Sequence, residues 1–422
     1  MAESFLVGID VGTGSCKTMV VSAAGEVLGF GTVPYPAKDT RARWQEQDPD
    51  GLVTSAANAV RHALKDAGIQ PEYCAGVSVG GALHSVMALS PSDTPLTGVI
   101  TWADTRAAAQ AESLRGRTDA HALYHRTGCP VHALYPREKI IWLREERPEV
   151  FNRAGWFISG KEYVTLKLTG QRMVDYSIAG GSGLLNTHTL EWDAAALDLT
   201  GITPERLFQL TSPEQVLGTL RPELARMMGL PASTPVVAGS SDAVNSSLGA
   251  GAVHPSQVTC MVGTSGAVRI IAPHPILDPE ARSWCYSISP EHWLVGGAVN
   301  NGGLVLQWLR DMFADLSGDS LSFDDLARWA EKASPGAEGL LFLPLLTGER
   351  SPYWDPNARG VLFGLSLAHN RHHIARATIE GVCFLLRSLI DILHEATGQT
   401  REVRASGGFA QSDFWLQTTV NV

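Results

Sequence analysis

One local plan, used twice, most limits what this chain can fold into. Phe5-Leu6-Val7-Gly8-Ile9-Asp10 is a short apolar run ending in a carboxylate. Gly12-Thr13-Gly14-Ser15 reads as a tight turn, and Lys17 to Val21 resumes a strand pattern. Gln257 to Met261, the turn Gly263-Thr264-Ser265-Gly266 and Val268 to Ile271 repeat that order. Two similar openings imply two α/β domains. The length of 422 residues agrees, because a single hydrophobic core stops growing well below it. The expected division is 1–250 and 251–422, two domains flanking a cleft of the kind in which ligands bind.

The stretches between carry ordinary signals. Val27 to Val33 suits a third strand. Asp50 to Ala67 has helical spacing, with Leu52, Ala56, Val60 and Leu64 on one face. Ala75 to Val79 reads as a buried strand, Lys139 to Arg147 as a helix, and Val236 to Gly239 as a strand before Asp242.

Charge and composition remove several classes of function. The formal net charge is −10, which disfavours nucleic acid or an anionic membrane as a partner, since both need a basic face. Small anionic substrates stay open, because a few local cations can hold them. No apolar run approaches the length of a bilayer span, and Met1-Ala2-Glu3-Ser4 lacks the basic start of a secretory signal. The six cysteines are scattered, without CxxC pairs or histidines at zinc-ligand spacing, which suits free thiols of a cytoplasmic protein.

Five motifs carry candidate chemistry. In Asp10-Val11-Gly12-Thr13-Gly14-Ser15 with Lys17, the glycines let backbone N–H groups approach phosphate, and Asp10 can hold Mg²⁺ through water. The plain alternative is a hairpin turn and no more. In Gly239-Ser240-Ser241-Asp242, the carboxylate can take the proton of an alcohol attacking a phosphate. The alternative is that Asp242 caps the helix that follows. Gly263-Thr264-Ser265-Gly266 is the internal counterpart of the first loop. Asn300-Asn301-Gly302-Gly303 with Gln307, and Ser406-Gly407-Gly408-Phe409-Ala410-Gln411-Ser412, set paired glycines before helices, which suits close approach to a nucleotide. A Walker loop, GxxxxGK[ST], is absent.

These motifs, in this order, resemble the FGGY carbohydrate kinases over the whole chain. Gly360, Leu362, Gly364-Leu365, His373-Ile374 and Ala377-Thr378-Ile379-Glu380 match the C-terminal signature of that family in spacing and residue class. The resemblance implies two ribonuclease-H-like domains of the actin and hexokinase type, with ATP and Mg²⁺ as cofactors. It implies Asp242 as the catalytic base and Asp10 as the metal-organising residue. It puts Thr13, Gly14, Ser15 and Lys17 at the first phosphate loop, and Thr264, Gly303, Gln307, Gly408 and Ser412 at the nucleotide. Ala82, Leu83, His84, Asp104, Arg106 and Asp242 fall at the sugar. For His84 the alternative is a structural role; for Asp104 and Arg106 it is an internal contact that shapes their loop.

Several segments look more like gluconate-phosphorylating than xylulose-phosphorylating members, among them His84-Ser85, Lys161-Glu162-Tyr163, Asp175-Tyr176-Ser177 and Gly348-Glu349-Arg350. Gluconate carries a carboxylate that needs a cation or several donors, and His84, Arg106 and Lys161 are the candidates. Xylulose or another ketose or polyol remains the alternative acceptor. A non-catalytic ATP-binding member of the actin superfamily is the third reading, disfavoured by Asp242. The oligomeric state is left open, a homodimer included. In relatives the segment resembling Trp415-Leu416-Gln417 is followed by several tens of residues. The second domain is therefore expected to be truncated at its C-terminus, with Phe414, Trp415 or Leu416 unusually exposed.

Overall fold

A computed structural model describes residues 4–35, 44–117, 119–317, 320–398 and 402–422. The chain divides into two compact units: Met1–Ser246 with Tyr286–Trp293, and Ser247–Cys285 with Leu294–Val422.

The first unit is built on a six-stranded sheet. Strands β1 (Phe5–Val11), β2 (Ser15–Ser22) and β3 (Val27–Pro34) form an antiparallel meander. Strand β4 (Cys74–Gly81) lies parallel to β1 on its other side, followed by β5 (Val216–Thr219) and β6 (Pro235–Val237) in the spatial order β5-β6-β4-β1-β2-β3. Helix α1 (Pro49–Ala67) covers this sheet. Asp48 caps it by accepting from the Gly51 N–H at 3.0 Å, Pro49 supplies a pre-set first turn, and Gly68 ends it in the left-handed region. The predicted face of Leu52, Ala56, Val60 and Leu64 is buried. Glycines in β3 permit the contact. A Cβ on Gly31 would stand 2.2 Å from the Ala59 carbonyl oxygen, and one on Gly29 2.5 Å from that of Ala63.

Helices α2 (Pro136–Glu146), α3 (Gly160–Thr169), α4 (Tyr176–Gly180) and α5 (Asp242–Gly249) complete the parts that matter for function. Helix α2 begins three residues before the expected Lys139, because Pro136 occupies its first turn. Strand β6 stops at Val237, short of the expected Gly239, where the chain turns at φ +66°.

The second unit repeats the opening. Strands β7 (Gln257–Val262) and β8 (Gly266–Ala272) are antiparallel, and β9 (Trp284–Ser289) and β10 (His292–Val299) extend the sheet. Helices α6 (Gly303–Ser317), α7 (Phe323–Ala330) and α8 (Arg371–Thr397) follow, then strand β11 (Glu402–Ser406) parallel to β7, and helix α9 (Asp413–Asn421). The spatial order is β9-β10-β8-β7-β11.

The expected exposure near the last helix is corrected at its largest residue. Trp415 is 8% exposed and meets Phe409 edge-on at 5.9 Å. Phe414 and Leu416 are half-buried. The Trp415 backbone N–H donates to the Ser412 hydroxyl at 3.4 Å, which caps the start of α9. Among the described residues no helix is long and apolar enough to cross a membrane.

Candidate active site

In the first unit, three parallel strand ends bring together several of the residues expected at the sugar and the metal. The register pairs Asp10 with Gly80 and Val11 with Gly81, and the Ala82 N–H donates to the Val11 carbonyl at 2.9 Å. Ser241 bridges to Gly81 from the other side. Asp10, the segment Gly80–His84 and the turn Gly239–Asp242 therefore share one carboxyl edge, the edge at which α/β sheets commonly bind ligands.

Asp10 ends β1 opposite Lys17 of β2. Burial raises its carboxyl above the ordinary value, and Lys17 opposes that rise. Its Oδ1 is buried without a hydrogen-bond partner. The turn after it is fixed through its carbonyls: Gln47 Nε2 donates to Gly12 O at 3.1 Å and to Thr13 O at 2.7 Å. A Cβ at Gly12 would lie 2.9 Å from Ser15 O, so a larger residue would push the turn open. Trp102 donates its indole N–H to the Thr13 hydroxyl at 2.9 Å. Thr13, Gly14 and Lys17 are exposed and Ser15 half-exposed.

Asp242 is the first residue of α5 and is exposed. It accepts from the Ala243 N–H at 2.7 Å. The capping position itself belongs to Ser241, whose hydroxyl accepts from the Val244 N–H at 3.4 Å.

The three candidate cations have different fates. Arg106 donates to both oxygens of Asp104, at 2.8 and 2.6 Å, and to Glu46 at 2.7 Å. Its guanidinium stacks 3.8 Å over Trp44. Asp104 is 0% exposed and also accepts from the Gln45 N–H at 2.7 Å. The internal contact is thus what the structure contains, with the Arg106 and Asp104 side chains 3% and 0% exposed. Lys161 is paired with Asp175 and donates to Gly239 O at 3.0 Å. His84 is half-buried at φ +65°, with Nδ1 on Gly181 O at 2.7 Å and Nε2 at 3.5 Å from the Tyr286 hydroxyl. The Gly181 carbonyl can only accept, so Nδ1 carries a proton. Leu83 is buried beside it and Ala82 half-buried.

Lys139 was not singled out by the sequence. Its fully buried ammonium donates to the carbonyls of His84, Thr101 and Leu134 at 2.8, 2.7 and 2.6 Å, tying the His84 segment to the Trp102 loop. Burial pushes its pKa down to about 7 from the ordinary 10.5, with Asp104 and Glu138 pulling the other way. Between those two values the unfolded chain holds a proton that the folded chain has released. This group's contribution to stability therefore rises with pH from about 7 upward. The melting temperature should accordingly gain more between pH 7 and pH 9 in the parent protein than in Lys139→Met. Equal gains in the two would count against it.

In the second unit, the five residues expected at the nucleotide line one cavity of about 450 Å³. Thr264 sits in the β7–β8 turn, Gly303 and Gln307 on α6, Gly408 and Ser412 between β11 and α9. Close backbone approach explains Gly303 and, next to Gly408, Gly407. The Gly303 N–H donates to Gly263 O at 2.8 Å, and a Cβ at Gly303 would stand 2.6 Å from that oxygen. A Cβ at Gly407, where φ is +92°, would lie 2.5 Å from Val262 O. Asn301, fully buried, holds the start of α6 by donating to Gly348 O at 2.8 Å and Glu349 Oε2 at 2.9 Å. The rest of the lining includes Phe323, Asp324 and Ala327 of α7, Ile379 of α8, and Trp415, which the sequence did not mark as site residues. Such a volume, with apolar walls and a few polar groups, suits a drug-sized ligand.

Comparison with known proteins decides the family. The model of the FGGY family of carbohydrate kinases matches residues 5–249 with its N-terminal domain and 258–422 with its C-terminal domain. This chain belongs to the FGGY family of carbohydrate kinases. As an FGGY kinase it is 39% identical to the gluconokinase of Bacillus licheniformis, over 99% of this chain and 83% of that protein. The crystal structure of gluconate kinase from Lactobacillus acidophilus superposes with a TM-score of 0.94 at 34% identity, over 100% of this chain and 84% of that one. The xylulose kinase structure from the same organism gives 0.93 at 34% identity, over 99% and 84%. The fold is the two-domain FGGY kinase fold, and sugar kinases of this family use ATP as phosphate donor. Since both structures match alike, the fold does not choose between their substrates.

Proposed function

We propose that this chain transfers the γ-phosphoryl group of ATP to the terminal hydroxyl of D-gluconate, giving 6-phosphogluconate, with Asp242 as general base. The observation that carries the chemistry is the placement of Asp242. It is exposed on the carboxyl edge beside Gly80–His84, while Ser241 serves the helix cap in its stead. Its carboxylate takes the proton of the acceptor hydroxyl. The oxygen then forms a bond to the γ-phosphorus as the bond to the ADP leaving group breaks. Ala82, Leu83 and His84 contact the acceptor in this reading. Asp104 and Arg106 support the neighbouring loop without touching it.

Thr13, Gly14, Ser15 and Lys17 serve the phosphates, and Thr264, Gly303, Gln307, Gly408 and Ser412 the nucleotide. The common cavity of the latter five supports that assignment. Mg²⁺ fits Asp10. One of its oxygens lacks a protein partner, and a cation would relieve the burial that raises its pKa. Among the described residues no group of three or more His, Cys, Asp or Glu could cage a metal. An ion at Asp10 would be held by one carboxylate, waters and phosphate oxygens. When bound with ATP, such an ion supplies charge neutralisation on the phosphates. Among the described residues no disulfide joins the six cysteines, in keeping with a reducing, cytoplasmic setting.

The likeness to gluconokinase supports gluconate as acceptor; the equal structural likeness to a xylulose kinase keeps xylulose as the second reading. A panel of acceptors separates them. Gluconate should exceed xylulose at least tenfold in kcat/KM, about 1.4 kcal/mol of transition-state discrimination. Xylulose or glycerol winning by that margin would overturn the acceptor and leave the kinase chemistry standing.

A further inference from the structure

The turn that carries Asp242 is clamped from beneath by a buried charged chain. Lys161 of α3 donates to Gly239 O at 3.0 Å, and its ammonium is paired with Asp175 Oδ2. The other oxygen of Asp175 accepts from the Ser177 hydroxyl, and from the Ser177 and Ile178 N–H groups at 3.0 and 3.2 Å. Ser177 in turn accepts from the Ser241 N–H at 2.7 Å. The direction is fixed, because an ionised carboxylate only accepts, so the hydroxyl proton of Ser177 points at Asp175 and its lone pair at Ser241. The chain thus grips one backbone atom three residues before Asp242 and another immediately before it. Lys161 and Asp175 side chains are 3% and 2% exposed.

Burial of an ion pair is weak support for stability, since desolvation offsets the attraction, and an apolar pair of similar volume often serves as well. The pair here does something an apolar pair cannot: it supplies one donor and, through Ser177, one acceptor to the backbone of a single turn. The turn is also held by the Gly239 N–H on Pro213 O at 2.8 Å and by Asn245 Nδ2 on Ser240 O at 3.2 Å, so the charged chain adds its two bonds to these. Gly239 is at φ +66°, where a Cβ would fall 2.3 Å from Val79 O, so the turn requires glycine at this position.

We propose that Lys161, Asp175 and Ser177 are positioning residues that set the direction of the Asp242 carboxylate, and that Lys161 is not the cation for a substrate carboxylate. This rests on the reading of Asp242 as the base. Misplacement of a base by a fraction of its hydrogen-bond reach lowers turnover with little change in binding.

The test uses the full chain with ATP and its best acceptor. Ser177→Ala should lower kcat about tenfold, with acceptor and ATP KM within about threefold of the parent. Ser177→Thr, which keeps the hydroxyl, should recover most of that loss. In an Asp242→Asn background, Ser177→Ala should add no further loss, because both act on one step. Circular dichroism melting confirms that each variant is folded; if Ser177→Ala is not, Ser177→Cys takes its place with the same expectation. Unchanged kcat in folded Ser177→Ala overturns the proposal, as does a further tenfold loss in the Asp242→Asn background. For Lys161→Met, a rise in KM confined to gluconate and absent for uncharged sugars also overturns it. Retained activity in Asp242→Asn alone would instead remove the base assignment, a distinguishable failure.

Discussion

Asp242→Asn should lower turnover by about 10²–10⁴-fold, the range for losing a general base, while gluconate and ATP still bind. The amide keeps the volume and still accepts from the Ala243 N–H, whose bond to Asp242 is 2.7 Å. It cannot take the hydroxyl proton. The helix start should be little disturbed, because Ser241 supplies the cap. Steady-state kinetics for kcat and calorimetry for sugar affinity are the two measurements. A variant with near-parent turnover would remove Asp242 from the chemistry. A variant that no longer binds sugar would make it a binding residue.

The second large effect is on stability. Arg106→Ala should destabilise the first unit by about 3–5 kcal/mol, the usual result of removing one partner of a buried pair. The stranded group is Asp104, with 0% exposure and bonds to Arg106 at 2.8 and 2.6 Å. The guanidinium also leaves the face of Trp44, 3.8 Å away. At about 2–4 °C per kcal/mol for a unit of this size, the melting point should fall by roughly 6–20 °C. The folded fraction at low temperature should keep the parent's preference between gluconate and xylulose. An unchanged melting point together with a raised KM for gluconate alone would return Arg106 to the substrate.

Much of the candidate site could be read from the chain because its signals are local. A strand, a glycine turn and a strand announce a hairpin wherever they fall, and β1–β2 and β7–β8 are those hairpins. The glycines at Gly303 and Gly407 were legible for the same reason: close backbone approach leaves few other residues possible at those positions. The wall made by Phe323, Asp324 and Ala327 was not, since an amphipathic helix beside a cavity has the same pattern as one beside any core.

What the sequence by itself determined was the pair of hairpins, the order of the loops and the family they spell. Only the tertiary structure decided which charges remain for a ligand. Arg106, Lys161 and His84 were equal candidates as residue types. The Asp104–Arg106 contact was legible as an alternative, but Glu46, Asp175 and Gly181 O, which also partner these groups, lie at separations that carry no sequence signal. The same holds for Trp415, expected near the surface and found packed on Phe409. The physical reason is that a turn is fixed by the conformational limits of its own few residues. The state of a buried charge depends instead on which distant group desolvates or pairs with it, and that is settled only when the chain packs.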